Sequence, residues 1–246
     1  DYIENTIAQL KKDISNGATM VKVWKNFGMV TQDSAGKYLM INDARLNPIW
    51  DFLVENKIPV LAHIGDPEQA WRPLDDPNNP HYNYYKNNPE YHAYNFPEVP
   101  SYEEIIEVRD EWVQNNPNLE IIAAHIASMA NDLSKVAVRL ENYPNLSVEL
   151  GARFGDLAMQ DSKKVSAFFE RYQDRILFGT DYGNAAPSSR LSQEDLKEEL
   201  DRLDEDYQRL FKYLVKSDSM LVRNQKTRGL ALSKTILAKI FSENFF

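Results

Sequence analysis

Three apolar stretches of this 246-residue chain each run into a residue able to ligate a metal or move a proton. Val60-Leu61-Ala62 leads into His63, Ile121-Ile122-Ala123-Ala124 into His125, and Ile176-Leu177-Phe178-Gly179-Thr180 into Asp181. Short apolar runs of this kind read as buried strands. In a barrel of parallel strands the C-terminal ends converge on one mouth. Two imidazoles and a carboxylate gathered there suit Zn²⁺ or a similar divalent ion, because imidazole nitrogen and carboxylate oxygen are ligands such an ion accepts. A lone histidine behind a strand is more often a satisfied structural residue. The case for a site rests on three strand ends of equivalent kind, which use two of the chain's four histidines.

Other polar residues stand close to these positions. Lys22 alternates with Met20-Val21 and Val23-Trp24 and so points toward the interior of a barrel. It reads as a carbamylated lysine bridging two metals, as a cationic substrate anchor, or as the ion-pair partner of a core carboxylate such as Glu149. Arg153, just past the strand Leu146 to Leu150, could hold a substrate carboxylate in bidentate fashion, or form a structural ion pair between strand end and loop. His81 and His92 fall among tyrosines, which marks them as parts of a packed lid.

The elements that position these residues alternate strictly. Ile3, Ile7, Leu10 and Ile14 form a helical stripe that stops at Asn16-Gly17. A strand follows over Ala18 to Trp24, then a helix opening at Asn47-Pro48 and ending near Asn56-Lys57. Ser101-Tyr102-Glu103-Glu104 is a capping box for a further helix. Helices are expected over Asp132 to Asn142, Ser162 to Tyr172, Ser192 to Lys216 and Ser233 to Phe241. Strand-helix alternation with nearly continuous apolar strands predicts a parallel α/β sheet covered on both faces. Five strands are countable where a closed (β/α)8 barrel needs eight. Either three lie upstream of Asp1, or the sheet is open and doubly wound. No G-x-G-x-x-G follows a strand, which removes the dinucleotide-binding alternative. The stretch Asp66 to Pro100 is far longer than an ordinary loop and rich in aromatics. It reads as an insertion closing over a pocket, with Trp71 among its apolar walls. Gly183 to Arg190 and Ser217 to Arg228 read as shorter irregular pieces.

Composition excludes several partners. Lys and Arg number 28 against 37 Asp and Glu, a formal net charge of -9 without a long basic run, which argues against nucleic acid. No apolar run approaches the length of a membrane helix. There is no cysteine, hence no disulfide, thiolate ligand or cysteine nucleophile.

The runs Val60 to Pro67, Ile121 to His125, Asn145 to Glu149 and Arg175 to Asp181 together resemble the amidohydrolase superfamily, in the branch of amidohydrolase-related metal-dependent hydrolases. The closing Leu237 to Asn244 resembles that branch's last helix. The resemblance implies a single (β/α)8 TIM-barrel domain over 1–246 with an insertion at 66–100. It implies His63, His125 and Asp181 as metal ligands, with Asp181 as general base and His125 also polarising substrate. Arg153, Lys22 and Trp71 are then candidates to contact a small-molecule substrate, and a homodimer is the family's habit. The family's first strand carries a His-x-His pair of ligands that this sequence lacks, so the first strands are expected upstream of Asp1. The implied activity is hydrolysis by a metal-activated water. Nonoxidative decarboxylation, or a catalytically silent barrel used for binding, are the alternatives.

Overall fold

The computed structural model describes residues 2–75, 79–182 and 192–245; the irregular piece expected over Gly183 to Arg190 lies outside them. The chain divides into two compact units, residues 1–149 and 150–246.

In the first unit, strands β1 (Val21–Val23), β2 (Val60–Ala62), β3 (Ile121–Ala123) and β4 (Leu146–Glu149) are all parallel and stand in sequence order. A doubly wound sheet reverses its strand order at a switch point. This one does not reverse, so it winds as a (β/α) barrel does. The strands are shorter than the sequence suggests because only their central residues ladder. Helices Tyr2–Ser15, Asn47–Glu55, Tyr102–Asn115 and Leu133–Asn142 follow the expected spans closely. The capping box is formed: the Ser101 hydroxyl accepts from the Glu104 N–H, and the Glu104 carboxylate reaches back to the Ser101 N–H. Leu53, Val60, Val113, Val136, Leu146 and Val148 are completely buried between helices and sheet.

Helix Asn47–Glu55 ends in a Schellman motif that aims the chain into β2. Ile58 N–H donates to Leu53 O at 2.9 Å and Lys57 N–H to Val54 O at 3.1 Å. The motif needs a left-handed residue at Lys57 (φ 55°), where a side chain is strained and glycine is not. Lys57→Gly is expected to stabilise the protein by about 1 kcal/mol, raising Tm by roughly 2–4 °C. A lower Tm would contradict the motif.

The insertion carries a small core of its own, Ala70, Tyr85 and Ala93, with Met29, Trp71 and Leu74 packed against it. His92 stacks on Tyr85 and Tyr94 at ring-centroid distances of 5.3 and 5.6 Å, and its Nε2 is 2.8 Å from Arg72 O. His81 is buried with its ring 6.1 Å from that of Tyr85. Both are parts of the packing, as their tyrosine-rich surroundings indicate.

The second unit holds strand β5 (Ile176–Leu177) and helices Ser162–Arg171, Gln193–Val215 and Lys234–Ala238, the last continuing as wider turns to Glu243. Phe178, Phe211 and Phe241 form an aromatic cluster. Residues 217–228, read above as irregular, instead contain an antiparallel hairpin of β6 (Ser219–Val222) and β7 (Gln225–Arg228). Its two-residue turn, Arg223-Asn224, has φ of 47° and 62°, the primed geometry that suits hairpin twist. The signal was weak because arginine stands at the first turn position and half of the strand residues are polar and exposed. No described helix is long and apolar enough to cross a membrane.

Candidate metal centre

Register explains why the two histidines need different local backbones. Val23, Ala62, Ala123 and Val148 are level with one another across the four strands. His63 is one residue beyond that level, and so are Ala124 and Glu149. His125 is two beyond, so the strand ends are not equivalent. Alternation would turn an extended His125 to the opposite face from His63. The chain resolves this with a left-handed turn: His125, Ile126, Ala127 and Ser128 all have φ between 54° and 58°. The two imidazoles then meet edge to face, ring centroids 4.3 Å apart. Both are buried.

Four consecutive non-glycine residues in this region cost about 1–2 kcal/mol each. Side chains from three directions clamp the turn. Ser128 Oγ donates to Gly65 O (2.7 Å) and reaches Ile64 O (3.1 Å), tying the turn to the segment behind His63. Tyr102 OH donates to Ser128 O at 3.1 Å. Arg109 Nη1 donates to Ala127 O at 2.5 Å, while its Nε and Nη2 donate to Asp110 Oδ1. Arg139 holds the other oxygen of Asp110 at 2.8 Å. Glu149 Oε2 accepts from the His125 N–H at 3.2 Å. Strain held by its surroundings in this way is characteristic of functional sites.

Burial pushes the Tyr102 phenol up to about 12. An unfolded tyrosine titrates near 10, so this burial stabilises fully below pH 10 and the contribution fades as pH rises toward about 12. Wild-type protein should therefore lose about 2 kcal/mol more than Tyr102→Phe between about pH 9 and 12, measured by urea unfolding. Equal losses would contradict a buried, proton-bearing Tyr102.

Behind His63 lies an ion pair that the sequence did not reveal. Lys25 Nζ donates to Asp66 Oδ2 at 2.7 Å, and both side chains are at most 10% exposed. Asp66 Oδ1 is 3.5 Å from His63 Nε2, which is too long for a well-formed hydrogen bond, and that nitrogen is buried without another partner. Burial holds His63 below the ordinary histidine range; Asp66 opposes this, while Lys25 and Lys22 reinforce it. His63 is therefore a neutral imidazole at pH 7, the form that binds metals. For Asp66, burial pushes upward, but His63 and Lys25 outweigh it and the carboxyl lies below its usual value. Lys25 also lies 4.8 Å from the ring centroid of Tyr91, in the insertion.

The other candidates fall as follows. Lys22 is exposed on β1, and Glu149 Oε2 accepts from the His125 N–H. Trp71 Nε1 donates to Pro100 O at 3.0 Å and its ring packs on Tyr102. In the second unit, Asp181 is exposed with φ 52°, and Arg153 lies 3.8 Å from Asp156, its side chain 11% exposed. Arg153 is thus within ion-pair distance of Asp156. Two neutralisable imidazoles flanked by Asp66 and Glu149 have the donor chemistry of a divalent metal site. Among the described residues, however, no three His, Cys, Asp or Glu side chains are grouped so as to hold an ion. The described residues of the first unit thus bring two imidazoles together without a complete set of donors around them.

A family model described as "Amidohydrolase" matches residues 1–244. No curated protein matches the chain. Among solved structures, it is similar to an uncharacterised TIM-barrel protein from Bordetella bronchiseptica (19% identity over 72% of this chain and 49% of that one, TM-score 0.41). It is also similar to a dihydroxybenzoic acid decarboxylase from Polaromonas with bound manganese and an inhibitor (17%, 84% and 64%, TM-score 0.45). A third is an amidohydrolase from Burkholderia multivorans with bound zinc (9%, 99% and 87%, TM-score 0.29). The chain spans about half of the first and under two thirds of the second. The family match, not these likenesses, carries the assignment.

Proposed function

Because the chain belongs to the amidohydrolase family, whose model spans residues 1–244, we propose that it is a metal-dependent hydrolase of a small carbonyl or carboxylate substrate. The observation that carries this reading is the strained left-handed turn that brings His125 against a neutral, buried His63. His63 and His125 would contribute ligands to the ion, with zinc as the proposed metal. Such an ion lowers the pKa of a bound water to about 7 and polarises a substrate oxygen.

The chain's own groups do the rest. Lys25 fixes Asp66, whose carboxylate stands 3.5 Å from His63 Nε2 as an acceptor that could orient the ring when it binds an ion. Asp181 accepts the proton of the attacking water as general base. Where the ion is held without His125, that ring would instead donate a hydrogen bond to the oxygen on which negative charge develops. The insertion around Trp71 and Tyr85 keeps water from the reacting atoms.

The test is product analysis on metal-loaded protein with a panel of small esters, lactones, amides and aryl carboxylates. Hydrolysis products that vanish on chelation and return with a divalent ion are expected. Carbon dioxide release would replace hydrolysis by decarboxylation, and ligand binding without turnover would make the protein a binding barrel.

A further inference from the structure

The second unit contains a cavity of about 530 Å³, the size of a small-ligand pocket. Gly179 and Thr180, just after β5, form part of its wall, with helix Gln193–Val215 and the β6–β7 hairpin supplying others. Phe154, Leu210 and Val222 give it apolar surface. Among the described residues, its charged lining residues are Arg209, Arg223 and Asp206, a net charge of +1. That balance suits one carboxylate better than a polyphosphate.

Arg223 is placed with unusual care for a hairpin turn. Its guanidinium lies flat over Gly155, where a Cβ would fall 2.6 Å from Cζ and 2.7 Å from Nε and Nη2. Its Nη1 donates to Asp156 Oδ1 at 3.0 Å. The Asp156 side chain is 3% exposed and that of Arg223 31%. The carboxylate is therefore a buried anchor, and the guanidinium stays open to the cavity. A guanidinium offers five N–H donors in a fixed fork, and Asp156 takes one. Arg153, the sequence's candidate for a carboxylate anchor, is turned to the same Asp156 and is not among the residues that line the cavity.

We propose that this cavity binds a small carboxylate with an apolar or aromatic body, and that Arg223, seated on Gly155 and anchored by Asp156, recognises the carboxylate. The proposal rests on the hydrolase reading only in taking that ligand for a substrate; binding through Arg223 needs no metal.

The probes are benzoate and its neutral isostere benzamide, titrated calorimetrically into the metal-loaded protein, with metal content measured on each sample. Wild type should bind benzoate about tenfold or more tightly than benzamide, from the charge-assisted hydrogen bonds. Arg223→Gln should lose that preference. Gly155→Ala, at a backbone position that is not left-handed, should lose about as much by displacing the guanidinium from the opposite side. Benzoate bound equally well by wild type and Arg223→Gln, or benzamide bound as tightly as benzoate, overturns the proposal. Metal-free protein that still prefers benzoate through Arg223 supports it while removing only the hydrolase reading.

Discussion

Arg109→Met is expected to cost about 3–5 kcal/mol of stability, the largest effect of any single substitution in the first unit. Arg109 is 1% exposed, so no water replaces it. Its removal leaves Ala127 O without the Arg109 donor and takes from Asp110 one of its two guanidinium partners. It also releases the left-handed turn from one of its clamps. Methionine keeps most of the volume, which separates lost hydrogen bonding from a cavity. Arg109→Lys should fall between the two, because an ammonium keeps the charge but cannot reach Ala127 O and Asp110 with one rigid fork. Urea midpoints at constant m-value read the difference. A loss below about 1 kcal/mol for the methionine variant would mean the turn holds itself, and the clamp argument would fail.

Asp181→Asn is expected to reduce turnover by about 10²–10⁴-fold while leaving the unfolding midpoint nearly unchanged. The amide has the same shape but cannot accept the proton of the attacking water. Asp181 is exposed and the amide is isosteric with the carboxylate, so the substitution leaves its packing in place. Turnover is measured on the substrate that the product screen identifies. A variant within a factor of about three of wild type would remove Asp181 from the role of base.

Much of the frame was legible because it depends on local chemistry. The helix stop at Asn16-Gly17, the Asn47-Pro48 start and the Ser101 capping box each use residues whose side chains or φ preferences suit one position only. The parallel strands were legible from continuous apolar runs. The hairpin over 219–228 was not, since its strands bury only Val222 and Thr227 and its turn lacks glycine. At the candidate site, His63 and His125 could be named from their places behind strands, but not the one-residue offset between them or the backbone that compensates for it. That follows from register, which a single strand does not encode. Arg109 did carry a signal: it stands four residues after Ile105 and three before Trp112, on the apolar stripe of its helix, where a charge must have a partner. Lys25 and Asp66 carried less, because each sits in a loop and their pairing joins residues 41 apart.

On the proposed function, His63 and His125 are brought together to hold a metal. Elemental analysis of the purified protein beside His63→Ala and His125→Ala tests it most directly. About one equivalent of a divalent transition metal is expected in the wild type, with its loss in His63→Ala, a reduction in His125→Ala and both variants still folded. Metal retained in full by both variants, or none in any of the three after divalent ions are supplied, would contradict it.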